Sequence, residues 1–267
     1  GFGAFLKNTG GLLVRPVTLN GYNGFWSNLD GGLEIHTLGA IVLNNVGADE
    51  NSFGILLDNN EPGAVGGVTI NGGVYTSGNA TYGMDITTKG AILITVPDAY
   101  VSGNGSYGWS LNNNFSGAVG GITLTSPNVD WAFDFSNNGS YGLWAQSLGA
   151  IKFTGLDASD NGDWGARLEN NFPGSVGTIT ITAPVLGNND FSGNVGTGLL
   201  VYSNRAITIG TLGANNNGLA GAVLDNTYSG SGSPQNVILT GSNDVTMNGD
   251  TGLVVVSYGA ITINNLY

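Results

Sequence analysis

Residues able to do chemistry are scarce in this sequence, and they form two small groups. His36 is the single histidine, while Asp157, Asp160 and Asp163 lie within seven residues of one another and Arg167 follows them. A histidine is a common general base, and neighbouring carboxylates offer the oxygen ligands that calcium prefers. The sequence therefore offers one candidate base and one candidate calcium site.

Neither group meets the requirements of an active site. Acid–base catalysis needs a base and an acid that converge on one bond. His36 has no candidate partner nearby in the sequence, which predicts a surface residue at a strand end. The aspartates have no matching ligands in other parts of the chain, which predicts solvated turns. We therefore expect no catalytic residue, no bound metal and no cofactor, and Asp157, Asp160 and Asp163 are the only metal candidates.

The composition excludes several classes of protein. Glycine fills 47 of 267 positions and Lys plus Arg only 6, so a charged helical surface cannot be built, yet 41% of the residues are hydrophobic and can form a core. The net charge of −12 excludes nucleic acid and anionic membranes as partners, because both attract clustered basic residues. No apolar run approaches the roughly 18 residues that span a bilayer.

The strands that must carry these side chains are predicted from a sequence repeat that occurs in ten copies. Each copy begins with a marker glycine, followed by an apolar, any, apolar triplet. Alternation along a strand sends the outer residues of such a triplet inward and the middle one outward. The marker glycines are Gly3, Gly32, Gly54, Gly83, Gly108, Gly142, Gly165, Gly198, Gly221 and Gly252.

A second triplet follows each marker glycine, as in Ile92-Leu93-Ile94. Its first residue comes 9, 9, 14, 9, 14, 9, 14, 9, 16 and 9 residues after the glycine, so short and long coils alternate. The extra residues of the long coils are turn formers, as in residues 59–63, and predict a corner loop.

A third, weaker triplet precedes the next glycine, as in Phe133-Asp134-Phe135. Coils of three strands, stacked about 4.8 Å apart, give three parallel sheets around one core. We predict an all-β parallel β-helix, or solenoid, of about ten coils that forms a single domain over residues 1–267. Open solenoid ends expose core and unpaired backbone, so the rod is expected to continue into further chain or to stack end to end.

Asparagine recurs four residues before most marker glycines. Stacked amides donate and accept along the rod axis, which predicts a structural asparagine ladder that only Glu50 interrupts. Three members also open N-glycosylation sequons, which burial would leave unused. The ladder consists of Asn28, Asn79, Asn104, Asn138, Asn161, Asn194, Asn217 and Asn248.

Two further columns bear on binding. The residue before the marker glycine is aromatic in five coils, and strand parity favours an inward corner stack for this column, with a platform for sugar rings as the alternative. The middle residue of the first triplet is apolar in six coils, which predicts an outward association face. The aromatic column is Phe53, Tyr82, Tyr107, Tyr141 and Trp164; the candidate interaction face is Phe5, Leu56, Trp144, Leu200, Val223 and Val254.

In its Gly-apolar-any-apolar strand, its Gly-Ala-Ile-Thr-Ile strand and its asparagine corner, the whole chain resembles the right-handed parallel β-helix repeats of the pectin-lyase-like superfamily. It also resembles the Gly/Asn-rich repeats of large bacterial surface proteins of the adhesin type. Lyases and hydrolases of that superfamily use clustered aspartates, or calcium with a basic residue, and neither pattern is visible here.

We expect an extracellular or cell-surface structural or adhesive solenoid that forms a fibre or filament by stacking of coils, and not an enzyme. Its expected partners are further copies of itself, end to end, and a carbohydrate or cell-surface ligand. The alternative is a polysaccharide-binding or lyase-like, polysaccharide-degrading β-helix.

Overall fold

Parallel strands make up all the regular structure in the part of the chain that is described. The computed structural model describes residues 1–10, 13–127, 133–184, 187–228 and 234–267. The first thirteen strands are β1 (Ala4–Asn8), β2 (Val17–Leu19), β3 (Asn23–Trp26), β4 (Gly31–Thr37), β5 (Ile41–Asp49), β6 (Phe53–Asn59), β7 (Val68–Tyr75), β8 (Met84–Thr88), β9 (Ile92–Thr95), β10 (Ala99–Tyr100), β11 (Trp109–Asn113), β12 (Ile122–Thr125) and β13 (Phe133–Asp134).

The other thirteen strands are β14 (Leu143–Ser147), β15 (Ile151–Thr154), β16 (Leu156–Asp157), β17 (Ala166–Asn170), β18 (Ile179–Thr182), β19 (Asn189–Asp190), β20 (Leu199–Ser203), β21 (Ile207–Gly210), β22 (Leu212–Gly213), β23 (Ala222–Asp225), β24 (Val237–Thr240), β25 (Leu253–Val256) and β26 (Ile261–Ile263). Within the described ranges, no helix is long and apolar enough to cross a membrane.

Ten of these strands, one from each coil, form a continuous parallel sheet, here called sheet A. Its order is β1-β4-β6-β8-β11-β14-β17-β20-β23-β25. The register follows the marker glycines, so that Ile55 pairs with Met84 and Trp109 with Leu143. This order confirms the ten coils, and the fold is a right-handed parallel β-helix.

The second and third strands of the coils belong to one 16-stranded parallel sheet, here called sheet B. In two coils the second and third strands form one long strand, β5 or β7, which continues through the corner between the second and third sides of the rod. The third side is otherwise built of short strands, β3, β10, β13, β16, β19 and β22. Their shortness explains why the third triplet is the weakest of the three sequence signals.

The core lies between the three sides and runs along the rod. The outer residues of the triplets point into it, and in the inner coils they are fully buried. Its largest side chains are Trp109, Phe133, Phe135, Phe153 and Phe191. Burial of this apolar surface is the main force that holds the coils together, because each coil alone leaves its inner side exposed to solvent.

The first coil departs from the sequence prediction. The second triplet was expected at residues 12–14, but β2 begins at Val17 and pairs in register with Ile41. Leu13 and Val14 are exposed and belong to the corner loop, while residues 11 and 12 lie outside the described residues. Because Val17 comes 14 residues after Gly3, the first coil is a long one, and long and short coils alternate through all ten.

A second polar column marks which coils are long. At the carboxyl end of the sheet A strands, long coils carry a buried asparagine whose Nδ2 donates to backbone carbonyls, as Asn59 does to Gly39 and Asn170 to Gly177. Short coils carry Thr or Ser, whose hydroxyl accepts the backbone N–H two residues later, as Thr88 does from Gly90. The column is Thr37, Asn59, Thr88, Asn113, Ser147, Asn170, Ser203 and Asn226.

Three corner loops are each hydrogen-bonded through the backbone to the short coil before them. The backbone N–H of Val65 donates to the carbonyl of Leu38, that of Val119 to Lys89, and that of Val176 to Leu148. The valine side chains themselves are exposed. A long coil therefore uses a short neighbour as the acceptor for its loop.

Candidate functional site

The outward surface of sheet A carries two columns of side chains, one pair from each coil. The first column runs Phe5, Glu34, Leu56, Asp85, Ser110, Trp144, Arg167, Leu200, Val223, Val254. The second runs Lys7, His36, Asp58, Thr87, Asn112, Gln146, Glu169, Tyr202, Asp225, Val256. All six residues of the candidate interaction face lie in the first column, among charged neighbours, and association through them remains a prediction.

His36 lies at the centre of a group of carboxylates on this surface. Its Nε2 is 2.6 Å from Oε1 of Glu34, and its Nδ1 is 3.3 Å from Oδ2 of Asp58. The expectation that His36 lacks a partner is therefore wrong. Glu34 lies on the same face as His36, two residues earlier. Asp58 is the register neighbour of His36 one coil later, and the linear sequence does not reveal this second contact.

Asp85 extends this group by one coil, and the acidic cluster is defined here as Glu34, His36, Asp58 and Asp85. The Tyr107 hydroxyl donates to Oδ2 of Asp85 at 3.2 Å. Burial raises the pKa of the Asp85 carboxyl; the Tyr107 hydrogen bond lowers it and the charge of Asp58 raises it further. Burial and the charge of Asp85 also raise the pKa of the Tyr107 hydroxyl, which stays a neutral donor.

The aromatic column borders the acidic cluster on the outside of the rod. Neighbouring rings from Phe53 to Trp164 are stacked at centroid distances of 5.2, 5.0, 4.8 and 4.2 Å. The predicted stack exists, but its inward orientation is wrong: the rings are half-buried and contact outward residues such as Asp85 and Trp144. Most of these residues lie in the corner before the sheet A strand, so strand alternation does not apply to them.

A second polar group lies further along the same surface, here called the arginine cluster: Trp144, Gln146, Arg167, Glu169 and Tyr202. The Glu169 carboxylate accepts from Arg167 Nη2 at 2.6 Å, from Trp144 Nε1 at 2.9 Å and from Gln146 Nε2 at 3.0 Å. The Arg167 guanidinium lies 5.4 Å from the Tyr202 ring centroid. Sequence reasoning missed this group, because it considered Arg167 only beside the three aspartates.

The asparagine ladder is present and complete. In each step, Oδ1 of one asparagine accepts the backbone N–H and the Nδ2 of the asparagine one coil earlier, with Nδ2–Oδ1 distances of 2.9 to 3.3 Å. The interruption predicted at Glu50 is wrong, because Asn51 occupies that step. Asn79, Asn104 and Asn138 are buried, which leaves their sequons inaccessible to glycosylation.

The three aspartates considered for calcium do not converge. Asp157 lies on the third side in register with Asp134 and Asp190, whereas Asp160 and Asp163 belong to the following turn. Burial raises the pKa of the Asp157 carboxyl, and its two aspartate neighbours add to this while the Ser159 and Ser136 hydroxyls oppose it. In the described part of the chain, no three His, Cys, Asp or Glu side chains are grouped as metal ligands.

Comparison with known proteins supports the class of fold. The right-handed parallel β-helix is shared with the solved A-module of mannuronan C-5 epimerase AlgE6 from Azotobacter vinelandii, at 16% identity and a TM-score of 0.53. The match covers 88% of this chain, which spans 60% of the length of that module. No protein-family model matches the sequence, and no curated protein matches it either.

The expectation that the chain is not an enzyme is contradicted by this comparison, because the module that shares its fold belongs to an enzyme. That expectation relied on carboxylates scattered along the sequence. Folding brings Glu34, Asp58 and Asp85 together on one face, from positions 24 to 27 residues apart.

Proposed function

We propose that this chain is a polysaccharide-degrading β-helix enzyme that hydrolyses neutral glycans on the outer face of sheet A. The observation that carries the proposal is the convergence of Glu34, His36, Asp58 and Asp85 on three successive strands. Acid–base catalysis of glycoside cleavage needs this combination of a carboxyl group that retains its proton and a separate base.

Asp85 is the candidate general acid. A carboxyl group whose pKa is raised by burial holds a proton closer to neutral pH, and Tyr107 fixes its orientation. Glu34, held by His36, is the candidate base that activates water. The strands of Glu34 and Asp85 are two coils apart, or about 9.6 Å along the rod, and Leu56 lies between them in the first column, so the glycosidic bond and the attacking water would lie over Leu56.

The charge of the surface favours a neutral glycan. The acidic cluster carries three carboxyl groups, with Lys7 as the register neighbour of His36 and Arg167 three coils beyond Asp85 in the first column. With a net charge of −12, the protein repels polyanions, and no grouped metal ligands occur in the described residues to offset that repulsion. A polymeric glycan supplied from outside cannot cross a membrane intact, so we also propose an extracellular or cell-surface location.

A filament role is a second proposal, supported by the ends of the rod. Inward residues of the outermost coils, such as Leu6 and Ile263, are only partly buried, and Ile261 is 48% exposed. Stacking of a second copy end to end would cover these side chains and pair the open strand edges.

The proposed activity is tested with a panel of soluble neutral and acidic polysaccharides. We expect new reducing ends from a neutral glycan, and a loss in kcat of about 100-fold or more in Asp85→Asn. Asp190→Asn, which removes a carboxylate from the third side, serves as the matched control and retains activity. Unsaturated products from a uronate polymer, or no turnover of any glycan, would contradict the proposal.

A further inference from the structure

The arginine cluster is built around a buried charge. The Glu169 side chain is 7% exposed although it belongs to an outward column, because Trp144, Gln146 and Arg167 cover it and donate to it. A buried carboxylate is tolerated only when it is paired and fully hydrogen-bonded. Glu169 therefore holds three neighbouring side chains in fixed orientations.

Trp144 is the side chain presented by this arrangement. Its ring is nearly perpendicular to Tyr141 and Trp164, at 88° and 86°, so it stands outside the stacked column. The Trp144 ring is half-buried, like the column rings, but it takes no part in their face-to-face stacking. The indole therefore offers an oriented aromatic surface next to polar groups.

Arg167 supplies unused hydrogen-bonding capacity beside this indole. Its guanidinium lies 5.9 Å from the Trp144 ring and 6.0 Å from the Trp164 ring. Nη2 is paired with Glu169 and Nε is buried, but the side chain as a whole is 35% exposed, which leaves other N–H donors of the guanidinium open to a ligand. Because Glu169 balances its charge, the cluster offers directed donors without a net positive charge.

An oriented indole flanked by neutralised polar groups suits a sugar ring, whose C–H face packs on an aromatic surface and whose hydroxyls hydrogen-bond at its edge. We propose that the arginine cluster is a binding subsite for a neutral sugar residue of the glycan, with Trp144 as the contact surface and Glu169 as the positioning residue. This inference rests on the proposed function for the identity of its ligand.

The position of the cluster fits a remote subsite of the same glycan. Asp85 and Arg167 lie in the same column of sheet A, three coils apart. This separation is about 14 Å along the rod, so one extended oligosaccharide can reach both groups. The subsite would then hold a sugar several residues from the bond that is cleaved.

Binding of neutral gluco-, manno- and xylo-hexasaccharides and of a hexauronate to the full chain tests the subsite by calorimetry. We expect Trp144→Ala to weaken binding of the neutral ligand at least about tenfold. Glu169→Gln should also weaken it and should shift preference toward the uronate, because Arg167 regains its net charge. The matched control is Trp26→Ala, which removes a half-exposed tryptophan whose Nε1 donates to Asp49 on another side of the rod.

The outcomes separate the subsite from the catalytic proposal. If the subsite is correct, Trp144→Ala raises KM and spares kcat, whereas Asp85→Asn lowers kcat and spares affinity. Binding that is lost in Trp144→Ala without turnover of any glycan supports the subsite and overturns the enzyme. Absence of binding to all four oligosaccharides, or an equal loss in Trp26→Ala, overturns the subsite whether or not turnover is seen.

Discussion

Asn138 lies in the middle of the asparagine ladder and shows what a single residue contributes to this rod. Its Oδ1 accepts from the backbone N and the Nδ2 of Asn104, and its Nδ2 donates to the carbonyls of Val101 and Phe135. All these groups are buried in the turn between coils. The amide therefore replaces the water that these backbone groups would otherwise need.

Removing this amide should be costly. Asn138→Ala leaves two buried donors of Asn104 without acceptors, and we expect a loss of about 3 kcal/mol in the free energy of unfolding. Chemical denaturation measures the loss. Asn264→Ala, at an exposed asparagine of the last coil, is the control and should change little; equal losses in both variants would contradict the role of the ladder.

Asp157 gives a prediction for the pH dependence of the stability of the fold. Its folded pKa is raised above the ordinary 3.8, so the stability it contributes is present below that value and is lost as pH rises through the folded pKa. Asp157→Asn removes this loss and should raise the midpoint of thermal unfolding at pH 7 by roughly 3 °C, with no gain at pH 3. A gain that is independent of pH, or an equal gain in the exposed control Asp163→Asn, would refute this explanation.

At the scale of strands and turns, the sequence predicted the repeat well and the site poorly. Marker glycines and apolar triplets repeat locally, so they specify sheet A and most of sheet B. The error in the first coil arose because its loop also carries an apolar pattern around Leu13. The acidic cluster joins residues of different coils, such as His36 and Asp58, and its recognition requires the register between strands. The inward orientation predicted for Tyr82 and Tyr107 was wrong because these residues precede their strands, where strand alternation does not apply.

The marker glycines can be tested directly as turn elements. A Cβ on Gly165 would collide with the carbonyl oxygen of Ala158 and lie 2.6 Å from that of Gly198. These atoms belong to the packed backbone, so Gly165→Ala should cost about 2 to 3 kcal/mol in the free energy of unfolding. Gly10→Ala, where nothing lies within 4 Å of the added Cβ, is the matched control. An unchanged free energy of unfolding in Gly165→Ala would show that the turn can widen to accept a Cβ.

The chain forms a rod of ten coils, roughly 48 Å long. Its sides are well hydrogen-bonded, whereas its two end coils are partly exposed. Stability in such a solenoid is the sum of interfaces between neighbouring coils, so a further interface at either end adds the same kind of contact. The proposed filament uses the surfaces that already hold the coils together.

End-to-end association should depend on the exposed apolar residues at the ends. Sedimentation of the wild-type chain should show longer species as concentration rises, and Phe2→Asp with Ile261→Asp should suppress them, because a carboxylate at each end would have to be desolvated in the joint. Val119→Asp with Val176→Asp, at exposed loop tips on the side of the rod, is the matched control. A single rod at every wild-type concentration would rule out stacking.

The alternation of coils constrains how such a chain can change in length during evolution. Loss of a short coil would place two loop-bearing coils side by side, about 4.8 Å apart, where packed layers need about 10 Å. It would also remove the acceptor on which each loop depends, as Leu38 is for Val65. Recombination that preserves the fold should therefore keep a short coil before each loop-bearing coil, and rods of related proteins should contain no two long coils in succession.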